Sequence, residues 1–426
     1  MSSTERSYYD SKQETMPFKA RQAYYDEKVR WIVEYGYQHA PAVKAKMDQA
    51  GVSPQDIHSV KDLEKIPVTS KDELMQLQKE NPPFGGFLTV PVSQLQSICM
   101  SPGPLYNSPG LEDSYLRRVE KAFFGCGIRP GDILLNTFSY HMSPMGILLD
   151  TPLKRLGVTV IPMGGGNKPL QLQVMHDLKV TVFTGSAGFL LELLRTAGEA
   201  GYDVKKDFNL RLAISPFDHE AMKIIEKEYG IKGTEFYGTA DLGIAAYQCA
   251  QRKGMHFCEE MIVEIVDMNT SKQLGPQQVG KVVLTPLDKT MPLIRFSPGD
   301  LSSWAEESCP CGRTSYRLNP IVGWIGQAMK VRGMFVHPSQ LAAVVAKFPQ
   351  IERYQLVCHR INQKDILTFN FEAKDDSIIT KEMSESFKAV FLDLCRLNID
   401  NVECVSKGKI PADSKSIVDA RPQSAK

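Results

Sequence analysis

From about residue 130 onward, short β-rich runs alternate with stretches of helical period. GDILLNTF, VTVIPMG, VTVFTG, LRLAIS and GTEFYG are separated by segments such as FLLELLRTAGEAG and EAMKIIEKEYG. Apolar strands of this length, spaced by helices, are joined by right-handed crossovers and lie side by side in a largely parallel sheet. The alternation therefore predicts an α/β fold. Its surroundings differ in kind. The first 80 residues read as a helical lead-in, in which Tyr24 to Gly51 carries apolar residues at helical spacing and stops at the glycine. After Tyr237, MIVEIVD and GKVVLTPL flank a polar turn, as expected of an antiparallel meander. The last hundred residues, from Gly326, contain VRGMFV, YQLVCHRI and KDILTFNFEA with helical segments at SQLAAVVAKF and KEMSESFKAVFLDLC. They read as a small α+β unit. At 426 residues the chain is too long for one core. The expected division is a large α/β domain with mixed sheets over 1–325 and a mobile α+β domain over 326–426.

Charge and composition exclude several function classes. Lys and Arg number 50 against 49 Asp and Glu, a formal charge of +1. No global field draws the chain to nucleic acid or to an anionic membrane, so any anion site must be local. No apolar run approaches the roughly 20 residues of a membrane span. The polar N-terminus, MSSTERSYYDSKQ, lacks the apolar stretch of a signal peptide. Nine scattered cysteines fit a reducing compartment. A cytoplasmic protein with no nucleic-acid or membrane partner is expected, and a homodimer is the default assembly.

The segment from Phe236 to Arg317 holds most of the chemistry. In FYGTADLG a strand ends in Tyr237-Gly238-Thr239, followed by Asp241. An aromatic at such an edge can stack on a planar base, and the acid can hold a divalent cation; a plain strand end with a polar loop is the simpler alternative. In PLIRFSPGDLSSW, Arg295 is followed by a Pro-Gly turn and Asp300. A fixed carboxylate there can bind a ribose diol, or can stabilise its own turn. Cys309 and Cys311 in CPCGRTS, with Cys249 and His256 in YQCAQRKGMHFC, offer three thiolates and one imidazole, a closed tetrahedral set for structural Zn²⁺. Cys258 is a rival ligand. The tail KGKIPADSKSIVDARP supplies Lys407, Lys409 and Lys415, any of which could neutralise charge on a phosphoryl group or simply face solvent.

In this order, these pieces resemble the phenylacetate–CoA ligase family of the adenylate-forming superfamily, over nearly the whole chain. The N-terminal stretch through KIPVTSKDEL, ending at Lys71, is similar to the family's lead-in helices. YGTADLG resembles its adenine- and magnesium-contacting motif, IRFSPGDLSSW its ribose motif, and KVRGMFVHP the start of its small C-terminal domain. The zinc set also matches. The resemblance implies a two-step reaction in which a carboxylic acid and Mg·ATP give an acyl-adenylate, and coenzyme A then displaces AMP. By position it assigns Tyr237, Gly238, Thr239, Ser215 and Arg332 to the nucleotide, and Asp300 to its ribose. It assigns Asp241 to Mg²⁺ and Lys415 to adenylation, with Lys409 the weaker candidate. Ser101 and Gly103 fall in the phosphate loop. Tyr140 and His141, in FSYHMSPMG, fall on the acid side.

Four positions depart from the family pattern. The phosphate-loop stretch MSPGPLYNSPG has no threonine or lysine, and Pro102, Pro104 and Pro109 each lack an amide N–H. Ser215 stands where the family has an acid, Asp241 where it has a glutamate, and Trp324 where an arginine follows the hinge glycine, Gly323. An AMP-forming acid–CoA ligase is the expectation. The alternatives are a nucleotide- or acid-binding relative with impaired catalysis and an adenylating enzyme that does not use CoA.

Overall fold

The computed structural model describes residues 7–421 apart from 102–103, 109–111, 217–218, 326–328, 333, 337, 362–363, 375–380, 396 and 412–413. The chain divides into two compact units, Met1–Ile325 and Gly326–Lys426.

The alternating runs of the first unit become the parallel half of one sheet. Ile133–Asn136 pairs in parallel with both Thr159–Pro162 and Val182–Thr184, which leads through Leu212–Ser215 to Lys232–Thr239. Helices Asp113–Cys126, Pro144–Arg155, Lys168–Asp177, Ala187–Glu199 and His219–Tyr229 pack around these strands. Leu134, Leu135, Val182, Phe183, Ala213 and Ile214 are buried completely, which explains why the strands read as unbroken apolar runs. The sheet then turns antiparallel. Lys232–Thr239 pairs with Gly243–Gln248, which pairs with Met255–Phe257, followed by Arg317–Leu318 and Trp304–Ala305.

The expected meander forms a second sheet. Met261–Val266 and Gly280–Pro286 pair antiparallel in full register, and Phe296–Ser297, Asp300–Ser302 and Gly323–Trp324 extend it. The N-terminal helices cover it, with Val29, Ile32 and Val33 in one core with Val282, Leu284 and Phe296. The helix read from Tyr24 to Gly51 is two helices, Phe18–His39 and Pro41–Gln49. Ala40 between them is extended (φ −110°, ψ 106°), as a residue before proline must be, and Pro41 opens the second helix where its missing N–H has no cost.

In the second unit, Ile351–Ile361 and Lys364–Ala373 form a long hairpin flanked by parallel strands Asn401–Cys404 and Ile417–Asp419. Helices Pro338–Val345 and Lys381–Cys395 share a core with its apolar face, in which Phe369, Phe387 and Phe391 stack. Among the described residues no helix is long and apolar enough to cross a membrane.

Candidate active site

The site lies where the first sheet changes from parallel to antiparallel. Lys232–Thr239 ends there in Tyr237, Gly238 and Thr239, and the chain returns at once as Gly243–Gln248. A β-carbon on Gly238 would lie 2.8 Å from the Gly243 carbonyl oxygen, so the turn closes only with glycine at that position. Thr239 Oγ1 accepts a hydrogen bond from the Leu242 amide at 3.1 Å and fixes the turn that presents Asp241.

Three distant segments converge on that acid. Ser101 Oγ donates to Asp241 Oδ1 at 2.5 Å, and Lys71 Nζ lies 3.3 Å from Asp241 Oδ2. Lys71 is delivered by the first turn of helix Lys71–Glu80, whose cap Ser70 accepts from the Glu73 amide. Ser101 ends a short strand, Cys99–Ser101, hairpinned to Leu105–Asn107. The Met100 amide donates to the Met142 carbonyl at 2.6 Å, which ties this hairpin to the FSYHMSPMG segment. The loop has no lysine of its own, and Lys71 brings an ammonium to its edge from elsewhere in the sequence. Oxygen donors from a carboxylate and a hydroxyl suit Mg²⁺, which takes few protein ligands and completes its shell with water and phosphate. Asp241 and Ser101 thus fit that ion.

Asp300 is held by Tyr237, whose hydroxyl donates to Oδ2 at 2.8 Å. The ring of Tyr237 belongs to the core, and burial, then the Asp300 carboxylate, push its phenol well above the ordinary range. Through its hydroxyl, Tyr237 orients the Asp300 carboxylate. Trp324 lies directly opposite Asp300 in the strand pair, and its indole N–H donates to the Pro298 carbonyl at 3.2 Å. Arg295 has a structural role. It is fully buried, ion-paired with Glu264 at 3.0 Å, and donates to the Ile66 and Ser271 carbonyls.

Beside Asp241 opens a small cavity, whose wall includes Leu148, Met291, Asn107, Tyr115 and Asp288. Neither Tyr140 nor His141 lines it. Tyr140 accepts from Asn136 and donates to Asp150, both at 2.8 Å, and burial together with Asp150 raises its phenol pKa. His141 is exposed. Ser215 is buried, accepts from the Ala187 amide at the start of a helix and donates to the Pro216 carbonyl. Gly103 lies outside the described residues. Arg332, Lys409 and Lys415 belong to the second unit. Arg332 donates to the Asp365 and Asn398 carbonyls and pairs with Asp400, while Lys409 and Lys415 are exposed.

At the far end of the same sheet, Cys249, His256, Cys309 and Cys311 place their ligand atoms within 4.8 Å of one another. Cys249 Sγ and Cys309 Sγ are 3.7 Å apart, and Cys311 Sγ lies 3.4 Å from His256 Nε2. A tetrahedron with Zn–S bonds of about 2.3 Å has S···S edges of roughly 3.8 Å. The four residues thus fit the ion the sequence suggested. Ser315 Oγ, 3.0 Å from His256 Nδ1, fixes the ring so that Nε2 faces the thiols. Cys258 stands outside this cluster, its buried thiol facing the Arg118 carbonyl.

The architecture matches that of adenylate-forming CoA ligases. 2-Hydroxyisobutyryl-CoA ligase in complex with 2-HIB-AMP and CoA superposes with a TM-score of 0.92 at 23% identity, covering 99% of this chain and 94% of the other. The amide bond synthetase McbA of Marinactinospora thermotolerans superposes more loosely, with a TM-score of 0.57 at 14% identity over 75% of this chain and 66% of its own. In sequence the chain is similar to phenylacetate-coenzyme A ligases. It is 29% identical to that of Thermus thermophilus over 383 residues, covering 86% of this chain and 84% of the relative. It is 26% identical to that of Aromatoleum evansii over 425 residues, covering 93% and 94%. No family model matches the chain.

Proposed function

We propose that the chain is an AMP-forming acid–CoA ligase. The observation that carries this reading is the meeting of Ser101, Lys71 and Asp241 beside a cavity, with Asp300 held ready by Tyr237. The similarity to phenylacetate-coenzyme A ligases over most of the chain supports it.

A carboxylate oxygen attacks the α-phosphorus of ATP, pyrophosphate leaves, and the resulting acyl-adenylate yields a thioester when the thiol of coenzyme A displaces AMP. Asp300 accepts hydrogen bonds from the ribose hydroxyls, and Tyr237 keeps its carboxylate aimed. Ser101 and neighbouring amides receive phosphate oxygens. Asp241 holds Mg²⁺, which when bound neutralises charge on the phosphates. Lys71 adds a fixed ammonium at the same edge. Lys415, from the second unit, is the candidate for neutralising charge during adenylation. The cavity beside Asp241 takes the body of the acid. The Cys₃His cluster binds structural Zn²⁺, since no coordination position remains for substrate. We place the protein in the cytoplasm, as a homodimer without nucleic-acid or membrane partners.

The test is release of AMP and pyrophosphate on incubation with Mg·ATP, CoA and a panel of aryl and short aliphatic acids. Binding of ATP without AMP from any acid would replace the ligase reading by a binding role. Calorimetry showing no ATP binding would end both.

A further inference from the structure

The cavity beside Asp241 is not lined as a slot for a plain hydrocarbon would be. Asn107 is 3% exposed, and neither its Nδ2 nor its Oδ1 has a hydrogen-bond partner among the described residues. Tyr115, also 3% exposed, has an equally unpartnered hydroxyl. Both side chains line the cavity. Buried amides and phenols are almost always paired, so three orphaned polar atoms around one space mark a place that receives hydrogen bonds from what enters it.

Neither group is there by slack packing. Asn107 ends the strand Leu105–Asn107, where its backbone is paired with Cys99. The ring of Tyr115 is pressed against Gly243, where a β-carbon would lie 2.5 Å from Tyr115 Cε2. Burial pushes the Tyr115 phenol up, so it stays protonated and can donate as well as accept. Among the described lining residues Asp288 is the one acid besides Asp241, and it is already spent, since Arg118 and Ser114 Oγ both donate to its carboxylate. An ammonium group on the acid would find no unneutralised charge there. Leu148, Leu242, Met291 and Leu293 supply most of the apolar surface, and Ser108 and Thr290 also line the space.

With the reacting carboxylate directed toward the α-phosphorus by the ligase reading, we propose that this cavity selects small carboxylic acids bearing a neutral group that both donates and accepts hydrogen bonds, a hydroxyl or a carboxamide, read by Asn107 and Tyr115. A site built to bond such a group rejects the analogue lacking it far more strongly than an apolar wall rejects a missing methylene.

Matched pairs test this: phenylacetate against its para-hydroxy derivative, and pentanoate against its omega-hydroxy derivative, its omega-amino derivative and glutaramate. Each acid is measured twice, by calorimetric binding to the full chain and by AMP release with Mg·ATP and CoA. The expected result is a preference on the order of 100-fold or more for the hydroxyl or carboxamide member of a pair, and none for the amine. Asn107→Leu and Tyr115→Phe should each shrink the ratio between members of a pair, a readout indifferent to a general loss of activity. Equal binding and turnover across each pair, or an unchanged ratio in both variants, would overturn the proposal. Selective binding of the polar acids without AMP release would uphold it while removing the ligase reading.

Discussion

Trp324 faces Asp300 across a strand pair and bonds the carbonyl of Pro298, at the head of the Pro-Gly turn that aims the acid. Gly299 in that turn has φ +99°, and a β-carbon on it would lie 2.4 Å from the Ile325 carbonyl oxygen and 2.7 Å from Trp324 Nε1. The indole therefore buttresses the backbone that carries Asp300 while offering a nucleotide only one N–H, already engaged with protein. Trp324→Arg adds guanidinium donors at this edge, and calorimetry should show Mg·ATP bound roughly tenfold tighter, as expected for one charge-assisted bond. Tyr237→Phe works in the opposite direction. It leaves the core shape intact and removes the donor on Asp300, so ATP should bind about tenfold more weakly with little change in melting temperature.

At the scale of elements, the Cys₃His cluster sits where the sheet would otherwise fray. Cys249 follows strand Gly243–Gln248, His256 lies within Met255–Phe257, and Cys309 and Cys311 occupy the turn between Trp304–Ala305 and Arg317–Leu318. One ion would staple the antiparallel end of the sheet. Purified protein should hold close to one equivalent of Zn²⁺. Its removal by a chelator, or Cys311→Ser, should lower the melting temperature by at least about 5 °C in a scanning experiment. This cluster was legible in the sequence because two ligands share a Cys-Pro-Cys turn and the other two lie seven residues apart, leaving topology little to add. The parallel strands were legible because burial on both faces makes them continuous apolar runs. The wall of the cavity was not. Asn107, Tyr115 and Asp288 come from a hairpin, a helix and the loop after a strand, follow no spacing rule, and meet only through tertiary packing. Lys71 lay inside the stretch resembling the family's lead-in, but nothing local to it revealed that it faces Asp241. The break at Pro41 needed no tertiary information, only more weight on proline than on apolar periodicity.

At the scale of the whole molecule, the first unit is tied together by buried charge. Lys121, fully buried on helix Asp113–Cys126, donates to Glu259 and, at 3.0 Å, to Glu260. Arg21, from the N-terminal helices, pairs with the other oxygen of Glu259 at 2.8 Å. The lead-in, a helix of the α/β layer and the connection between the two sheets thus share one ionic knot. Removing one member leaves its partners buried and uncompensated, which costs about 3–5 kcal/mol. Lys121→Met, which fills the same space without the charge, should lower unfolding stability by that amount near neutral pH. Burial alone would raise the Glu259 carboxyl, but Lys121 and then Arg21 hold it below its ordinary value. A carboxyl whose folded pKa is depressed contributes stability that is complete above its unfolded pKa and is lost as pH falls through the folded one. The wild-type chain should therefore lose stability steeply as pH falls below the ordinary carboxylate range. In Lys121→Met the depression is weaker or reversed, so the gap between the two proteins should narrow on acidification. Denaturant midpoints measured across that range decide it: a gap that stays constant would mean that Lys121 acts through packing and not through the charge it shares with Glu259.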